Sequence, residues 1–410
     1  MPRRAVPVTL ALIIVAPAVW SQVPLGSDFQ VNTYTTGSQT YASVAADTNS
    51  TIGNFMVVWD NWGLDSVGTD VFARRYDATG TPFGEEFRVN SYSTGQQVRA
   101  KVASGPSGDF VVVWLDFHAG DRIVARLFDA AGLPAGPEFQ VNTDTSGTDQ
   151  LADVAMDAAG DFVVVWENIF GDYNIWTRHF SAAGVALSPA LPVNSYDFSQ
   201  QRLPAVAIAY NGTFVVVWTS YGQDGHHLGV FGQRFYADGE RIGAEFQVNT
   251  YTTGAQSYPH VASDPVGNFL VVWSSDGQDG DGLGVYGRHY DAAGVPQGGE
   301  FRVNTWTFSS QQFPDVTADA SGAFVVAWQS YLQDGSLNGV FGRTVRASAA
   351  PGPEVQMNSY TTGMQTVPAV AADGRGNIVA VWLSEQDGSG RGVFGRRFEM
   401  DVIFKDGFES

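Results

Sequence analysis

Asn211-Gly-Thr-Phe-Val-Val-Val-Trp218 is the stretch whose reading decides the fold. It recurs seven times with small changes, closed each time by a tryptophan: Trp59, Trp114, Trp166, Trp218, Trp273, Trp328 and Trp382. The spacings are 55, 52, 52, 55, 55 and 54 residues. A near-constant period of that length marks an array of similar supersecondary units. Phe214 to Trp218 is apolar at every position. A strand with one wet face alternates apolar and polar residues, so the sheet holding this one is expected to be covered on both faces.

One unit, Pro259 to Asn304, reads as four short strands. Pro259-His-Val-Ala-Ser-Asp264 is extended, and a turn follows at Asp264-Pro-Val-Gly-Asn268. Phe269 to Trp273 is the second strand. A Gly/Asp-rich loop, 274–284, leads to the third strand, Gly284 to Tyr290. Asp291-Ala-Ala-Gly294 turns into the fourth strand, Glu300 to Asn304. Seven such units predict an all-β chain, a single seven-bladed β-propeller of four-stranded antiparallel blades. The tryptophans are expected to fill the wedges between blades. The chain starts out of phase, since Phe29-Gln-Val-Asn32 matches a fourth strand, and it ends on a third strand, Gly392 to Phe398. Residues 28–32 are therefore expected to pair with 392–398 and to close the ring, leaving no bare sheet edge.

The front of the chain reads as a leader. Arg3 and Arg4 precede the short apolar run Ala5–Val19, and Ala16, Ala18 and Ser21 offer small residues for cleavage. The expected division is 1–21 signal peptide, 22–400 propeller, 401–410 C-terminal tail. There is no cysteine, which excludes disulfides, a thiolate nucleophile and Cys-ligated zinc. A formal charge of −20 is the wrong sign for nucleic acid or an anionic membrane. The expectation is a bacterial protein, secreted or at the cell surface, a monomer detached from the membrane after cleavage, with an extracellular protein or carbohydrate as partner.

Two loop classes share one face of such a disc. One is the crossing between units, seen as Asn249-Thr-Tyr-Thr-Thr-Gly-Ala-Gln256. Its glutamines, Gln39, Gln97, Gln201, Gln256, Gln311 and Gln365, are expected to ring the mouth of a central channel, with Asp149 in the third unit. Its aromatics, Tyr251 and Trp306 among them, are candidate ligand platforms. The other class is the second-to-third loop, often Gln-Asp-Gly, which places aspartates such as Asp65, Asp224, Asp279 and Asp334 on the same face. Asp276, Asp279 and Asp281 are candidate oxygen ligands for calcium, the single cofactor considered.

These motifs resemble a family of secreted bacterial propeller repeats, whose running text is similar to EFQVNTYTTGxQ…GxFVVVW…QDGxxxGVFGRRYDAxG, over residues 28–398. The resemblance implies an exported propeller with an adhesion role and no catalytic residues. The function expected is thus non-enzymatic binding through a polar, acidic face. Two alternatives stay open: a propeller lectin with repeated Tyr-lined sites, and a glycoside hydrolase or lyase. Catalysis needs groups that differ, and the units differ at Asp116, His118, Asp121 and Arg122 in the second and at Glu167, Asp172 and Tyr173 in the third. The enzyme alternative requires Asp116, His118 and Glu167 to converge.

Overall fold

The computed structural model describes residues 19–48, 53–63, 68–118, 120–143, 147–347 and 350–403. All regular structure in these residues is β. Each repeat is an up-and-down antiparallel meander, as in Gln256–Ser263, Phe269–Asp276, Leu283–Tyr290 and Phe301–Arg302 of the fifth. Four of the sheets have four strands. One of eight strands joins the first two repeats through a two-residue parallel ladder, Gly68 to Gly95 and Thr69 to Gln96.

The unbroken apolar strands are buried on both faces, and the two faces serve different cores. Phe269, Val271 and Trp273 pack with Val215 and Val217 of the preceding repeat. Leu270 and Val272, pointing the other way, pack with Phe324, Val326 and Trp328 of the following one. This is why the alternation is missing from the sequence: each side of every sheet is an interior. Val379, Val381 and Leu383 of the last repeat share a core with Phe55, Val57 and Trp59 of the first.

The chain ends meet. Phe29 and Gln30 pair with Gly395 and Phe394 as an outer strand. Asn32 fixes the junction: its Oδ1 accepts the Val393 amide at 2.7 Å and its Nδ2 donates to Gln39 Oε1 at 3.0 Å. A further strand, Val19–Pro24, pairs with Phe398 to Ile403. This ribbon straddles the boundaries expected at 21 and 400, while residues 1–18 and 404–410 lie outside the described residues.

Candidate functional site

Every inner strand carries a bulge just after it leaves the crossing. The register slips between Thr40 and Ser43, Val98 and Lys101, Gln150 and Asp153, Arg202 and Ala205, Ser257 and His260, Gln312 and Asp315, and Thr366 and Ala369. Inside each slip one non-glycine residue is left-handed, with φ between 47° and 59°: Tyr41, Arg99, Leu151, Leu203, Tyr258, Phe313 and Val367. A bulge re-aims one side chain out of the strand's alternation. Six of these seven line a concave mouth of about 150 Å³, together with Lys101, Asp153 and His260.

Left-handed backbone at a side-chain-bearing residue costs energy and persists only where the surroundings over-determine it. At four of the seven the side chain of the residue after the tryptophan of the preceding repeat does so. Asp60 Oδ2 accepts the Arg99 amide at 2.7 Å, and Glu167 Oε1 accepts that of Leu203 at 2.6 Å. Ser274 Oγ takes Phe313 at 3.3 Å and Gln329 Oε1 takes Val367 at 3.1 Å. Asp60 and Glu167 are fully buried. Burial pushes the Asp60 carboxyl up to about 7 despite the amides it accepts, and raises Glu167 likewise.

One step down the channel, the seven repeats present Ser43, Lys101, Asp153, Ala205, His260, Asp315 and Ala369. His260 Nδ1 lies 3.0 Å from Asp315 Oδ1. Burial works to raise Asp315, but the hydrogen bond and charge of His260, with the charge of Lys101, outweigh it and hold the carboxyl low. Asp153 Oδ2 and Asp315 Oδ2 also accept amides of the next repeats, Val206 at 2.9 Å and Val370 at 2.8 Å. Arg99 lies over the Tyr41 ring at 5.4 Å and Arg202 over Tyr173 at 4.8 Å, while Tyr258 meets Phe313 edge-on at 4.5 Å. Tyrosine rings, the cations of Arg99 and Lys101, the imidazole of His260 and the carboxylates of Asp153 and Asp315 thus surround one opening, groups that can move protons on a polar substrate.

The residues expected from sequence are placed differently. Gln39, Gln97, Gln201, Gln256, Gln311 and Gln365 are buried. Gln39, Gln97, Gln256, Gln311 and Gln365 accept from the crossing asparagine seven residues earlier, as Gln256 Oε1 does from Asn249 at 3.2 Å. They brace the crossing, and the residue two places on reaches the mouth instead. Tyr251 is half-buried, its amide held by Glu300, and Trp306 stands at the rim beside Phe308. Asp276, Asp279 and Asp281 do not converge: Asp281 caps the Ser309 amide at 2.9 Å, and among the described residues no three carboxylate or imidazole side chains are placed to share a metal. Asp65 lies outside the described residues. Asp116 is paired with Arg122 and accepts the His118 amide, whereas Glu167 is engaged with Leu203 and Arg202, so the three do not form one constellation.

Sequence reasoning passed over Asp60, Arg99, Lys101, Asp153 and Asp315. The available signal was the pair of positions two and four residues after each crossing glutamine, where the repeats disagree most in chemistry.

No protein-family model and no curated protein matches the chain. Solved structures do. A protein of unknown function from Dyadobacter fermentans superposes with a TM-score of 0.56 at 11% identity, over 93% of this chain and 99% of its own. An α-L-arabinanase from Penicillium chrysogenum, complexed with arabinobiose, gives 0.51 at 12%, over 95% and 100%. An ulvan lyase of a new polysaccharide lyase family gives 0.54 at 9%, over 94% and 96%. These likenesses establish a β-propeller-type fold. The expectation of a non-enzymatic adhesion protein finds no support among them: the two with stated activities are an arabinanase and an ulvan lyase.

Proposed function

We propose that this chain is a carbohydrate-active enzyme, a glycoside hydrolase or polysaccharide lyase, working at the channel mouth. One observation carries the reading. The bulge that aims a residue toward the mouth is repeated in every unit, but the seven aimed residues are of five kinds (Tyr, Arg, Leu, Phe, Val) and the seven beneath them of five (Ser, Lys, Asp, Ala, His), so the charge and shape presented change around the opening. Packing alone does not call for Lys101, Asp153, His260 and Asp315 at equivalent positions that face one opening.

The solved neighbours with stated activities act on arabinan and ulvan, and that supports a polysaccharide substrate here. Lyase chemistry has a specific observation in its favour. Lys101 is the only lysine among the described residues, and neither it nor Arg99 has a side-chain hydrogen bond to protein. Nearly every arginine of the third strands is, by contrast, spent on a carbonyl of a neighbouring repeat, as Arg288 is on Val248 at 2.9 Å. Two cations whose donors are not taken up by the described residues suit the carboxylate of a uronic acid, with Lys101 also serving Asp315 through its charge. With that charge neutralised, a base removes the C5 proton, the electron pair left on C5 forms the C4=C5 double bond, and the C4–O bond breaks with its pair leaving on the glycosidic oxygen, which takes up a proton. His260, oriented by Asp315, is placed for the proton work.

The propeller is read as seven blades closed into a ring. The eight-stranded sheet then counts as two blades touching through Gly68 and Gly95, and the strand at Phe29 completes the last blade. Export through a cleaved leader fits a polymer substrate that does not enter cells.

The test is incubation of the purified chain with arabinan, pectate and ulvan. New reducing ends are measured alongside the ultraviolet absorbance of an unsaturated uronate. Activity abolished by His260→Ala and weakened by Lys101→Ala supports the proposal. No new chain ends on any of the polymers would overturn it.

A further inference from the structure

The second repeat, like the first and third, departs from the fourth, fifth and sixth at one more place: the position opposite the second residue after the tryptophan is Asp70, Arg122 and Asn174 in the first three and glycine in the others. In the fourth, fifth and sixth repeats the second-to-third loop folds back on its own sheet. Its glutamine, Gln223, Gln278 or Gln333, donates to the outer-strand glutamate Glu245, Glu300 or Glu354, with Gln278 to Glu300 at 2.7 Å. Its aspartate packs against a glycine at the start of the third strand. A Cβ on Gly229, Gly284 or Gly339 would stand 2.6–2.7 Å from an oxygen of Asp224, Asp279 or Asp334. Only glycine leaves room for that loop.

In the second repeat both halves of the arrangement are gone. By strand register, Arg122 stands where those glycines stand, opposite Asp116. Between equivalent positions the loop is three residues shorter, 117–121 against 221–228, and it holds no glutamine. Glu138, the counterpart of Glu245, still holds the crossing amide of Ser91 at 3.0 Å, but no side chain comes back to it. What remains is an open cavity of about 370 Å³ lined by Tyr92, Asp116, Arg122, Glu138 and Phe139. Asp116 is buried and paired with Arg122, whose Nε is itself buried with no hydrogen-bond partner. The Tyr92 ring is 54% exposed. One side of it rests on His118, centroids 4.9 Å apart and planes within 15°, and His118 Nδ1 is tied to Thr94 Oγ1 at 2.6 Å.

We propose that this cavity is a saccharide-binding subsite, separate from the channel mouth, that takes one neutral sugar ring. The reasoning is one of substitution. The missing glutamine amide is a donor to Glu138, and a sugar hydroxyl is a donor of the same reach that also accepts from Arg122. Two carboxylates against one guanidinium disfavour an anion. A braced, half-exposed tyrosine offers a flat apolar face for the C–H side of a ring. The cavity is of the size range of small-ligand sites. Tyr92 lies on the crossing that leads into the bulge at Arg99, so a chain held here runs on toward the mouth, but holding it requires no cleavage.

The experiment is saturation-transfer NMR on the full exported chain with L-arabinose, D-galactose, L-rhamnose and arabinobiose as probes, each at millimolar concentration. Four proteins are compared: the parent, Tyr92→Ala, Lys101→Ala, and a graft that puts residues 276–283 in place of 117–121 with Arg122→Gly. The graft restores the glutamine and fills the cavity while leaving Tyr92 in place. Transfer to at least one probe is expected in the parent and in Lys101→Ala. It should weaken about tenfold or more in Tyr92→Ala, as loss of an aromatic stack does, and disappear in the graft. Absence of transfer for every probe, or transfer lost with Lys101→Ala and kept in Tyr92→Ala, overturns the proposal. A chain that binds here without cutting any polymer would sink the enzymatic reading and leave this one intact.

Discussion

The carboxylate of Asp60 in the first repeat accepts the backbone amide of Arg99 in the second at 2.7 Å, so a fully buried acid holds in place the strained residue that faces the channel mouth. The bond joins two repeats and sets the angle of one guanidinium, and it has a pH signature. Burial lifts Asp60 from its ordinary 3.8 to about 7. Between about pH 4 and pH 7 the folded chain keeps a proton that the unfolded chain has released, so this group subtracts stability as pH rises through that window. Asp60→Asn cannot ionise. Its melting temperature relative to the parent is expected to improve steadily from pH 4.5 to pH 8, measured by scanning fluorimetry. A constant difference across that range would refute the assignment.

Val367 is a β-branched residue at φ 50° in the seventh bulge. Glycine occupies this region without steric cost, and relief of such strain is worth about 1 kcal/mol or somewhat more. Val367→Gly should therefore stabilise the chain by roughly 1 kcal/mol in urea melts, offset in part by the freer unfolded chain. Val370→Gly, three residues on in regular strand, should do the reverse.

Trp273 is entirely buried and its indole N–H has no hydrogen-bond partner. Its value is volume in the wedge between two sheets. Trp273→Ala is expected to cost about 3–5 kcal/mol, while Trp273→Phe should cost much less, because the unsatisfied donor leaves with the ring that is lost. Equal losses in the two variants, read from denaturant midpoints, would show that the indole nitrogen has a partner after all.

Asn32 joins the segment from Val19 onward to the last strand through the Val393 amide, and Asp28 holds the Ser359 amide at 2.8 Å. Asn32→Ala leaves buried groups unpaired, at a cost of about 1–3 kcal/mol. Hydrogen exchange should quicken over residues 392–398 more than over 283–290. Uniform quickening around the molecule would argue that the terminal junction is no weaker than any other.

Much of the architecture was written in local pattern. The tryptophan period, the apolar runs without alternation and the Asp–Gly turns are dictated by burial and backbone chemistry within a few residues, and each is visible without coordinates. The out-of-phase Phe29-Gln30 likewise disclosed its partner near Gly395, because an outer strand must find a sheet edge. Tertiary structure alone decided the site. The left-handed positions carry Tyr, Arg, Leu, Phe and Val, none of which signals an unusual backbone, since the strain is imposed from outside by acceptors such as Asp60 and Glu167 in the preceding repeat. Gln256 and its equivalents sit where the pattern put them, yet a buried bond to Asn249 turns them inward and gives the mouth to Tyr258. His260 and Asp315 are 55 residues apart in the chain, and only the stacking of neighbouring sheets brings them to 3.0 Å.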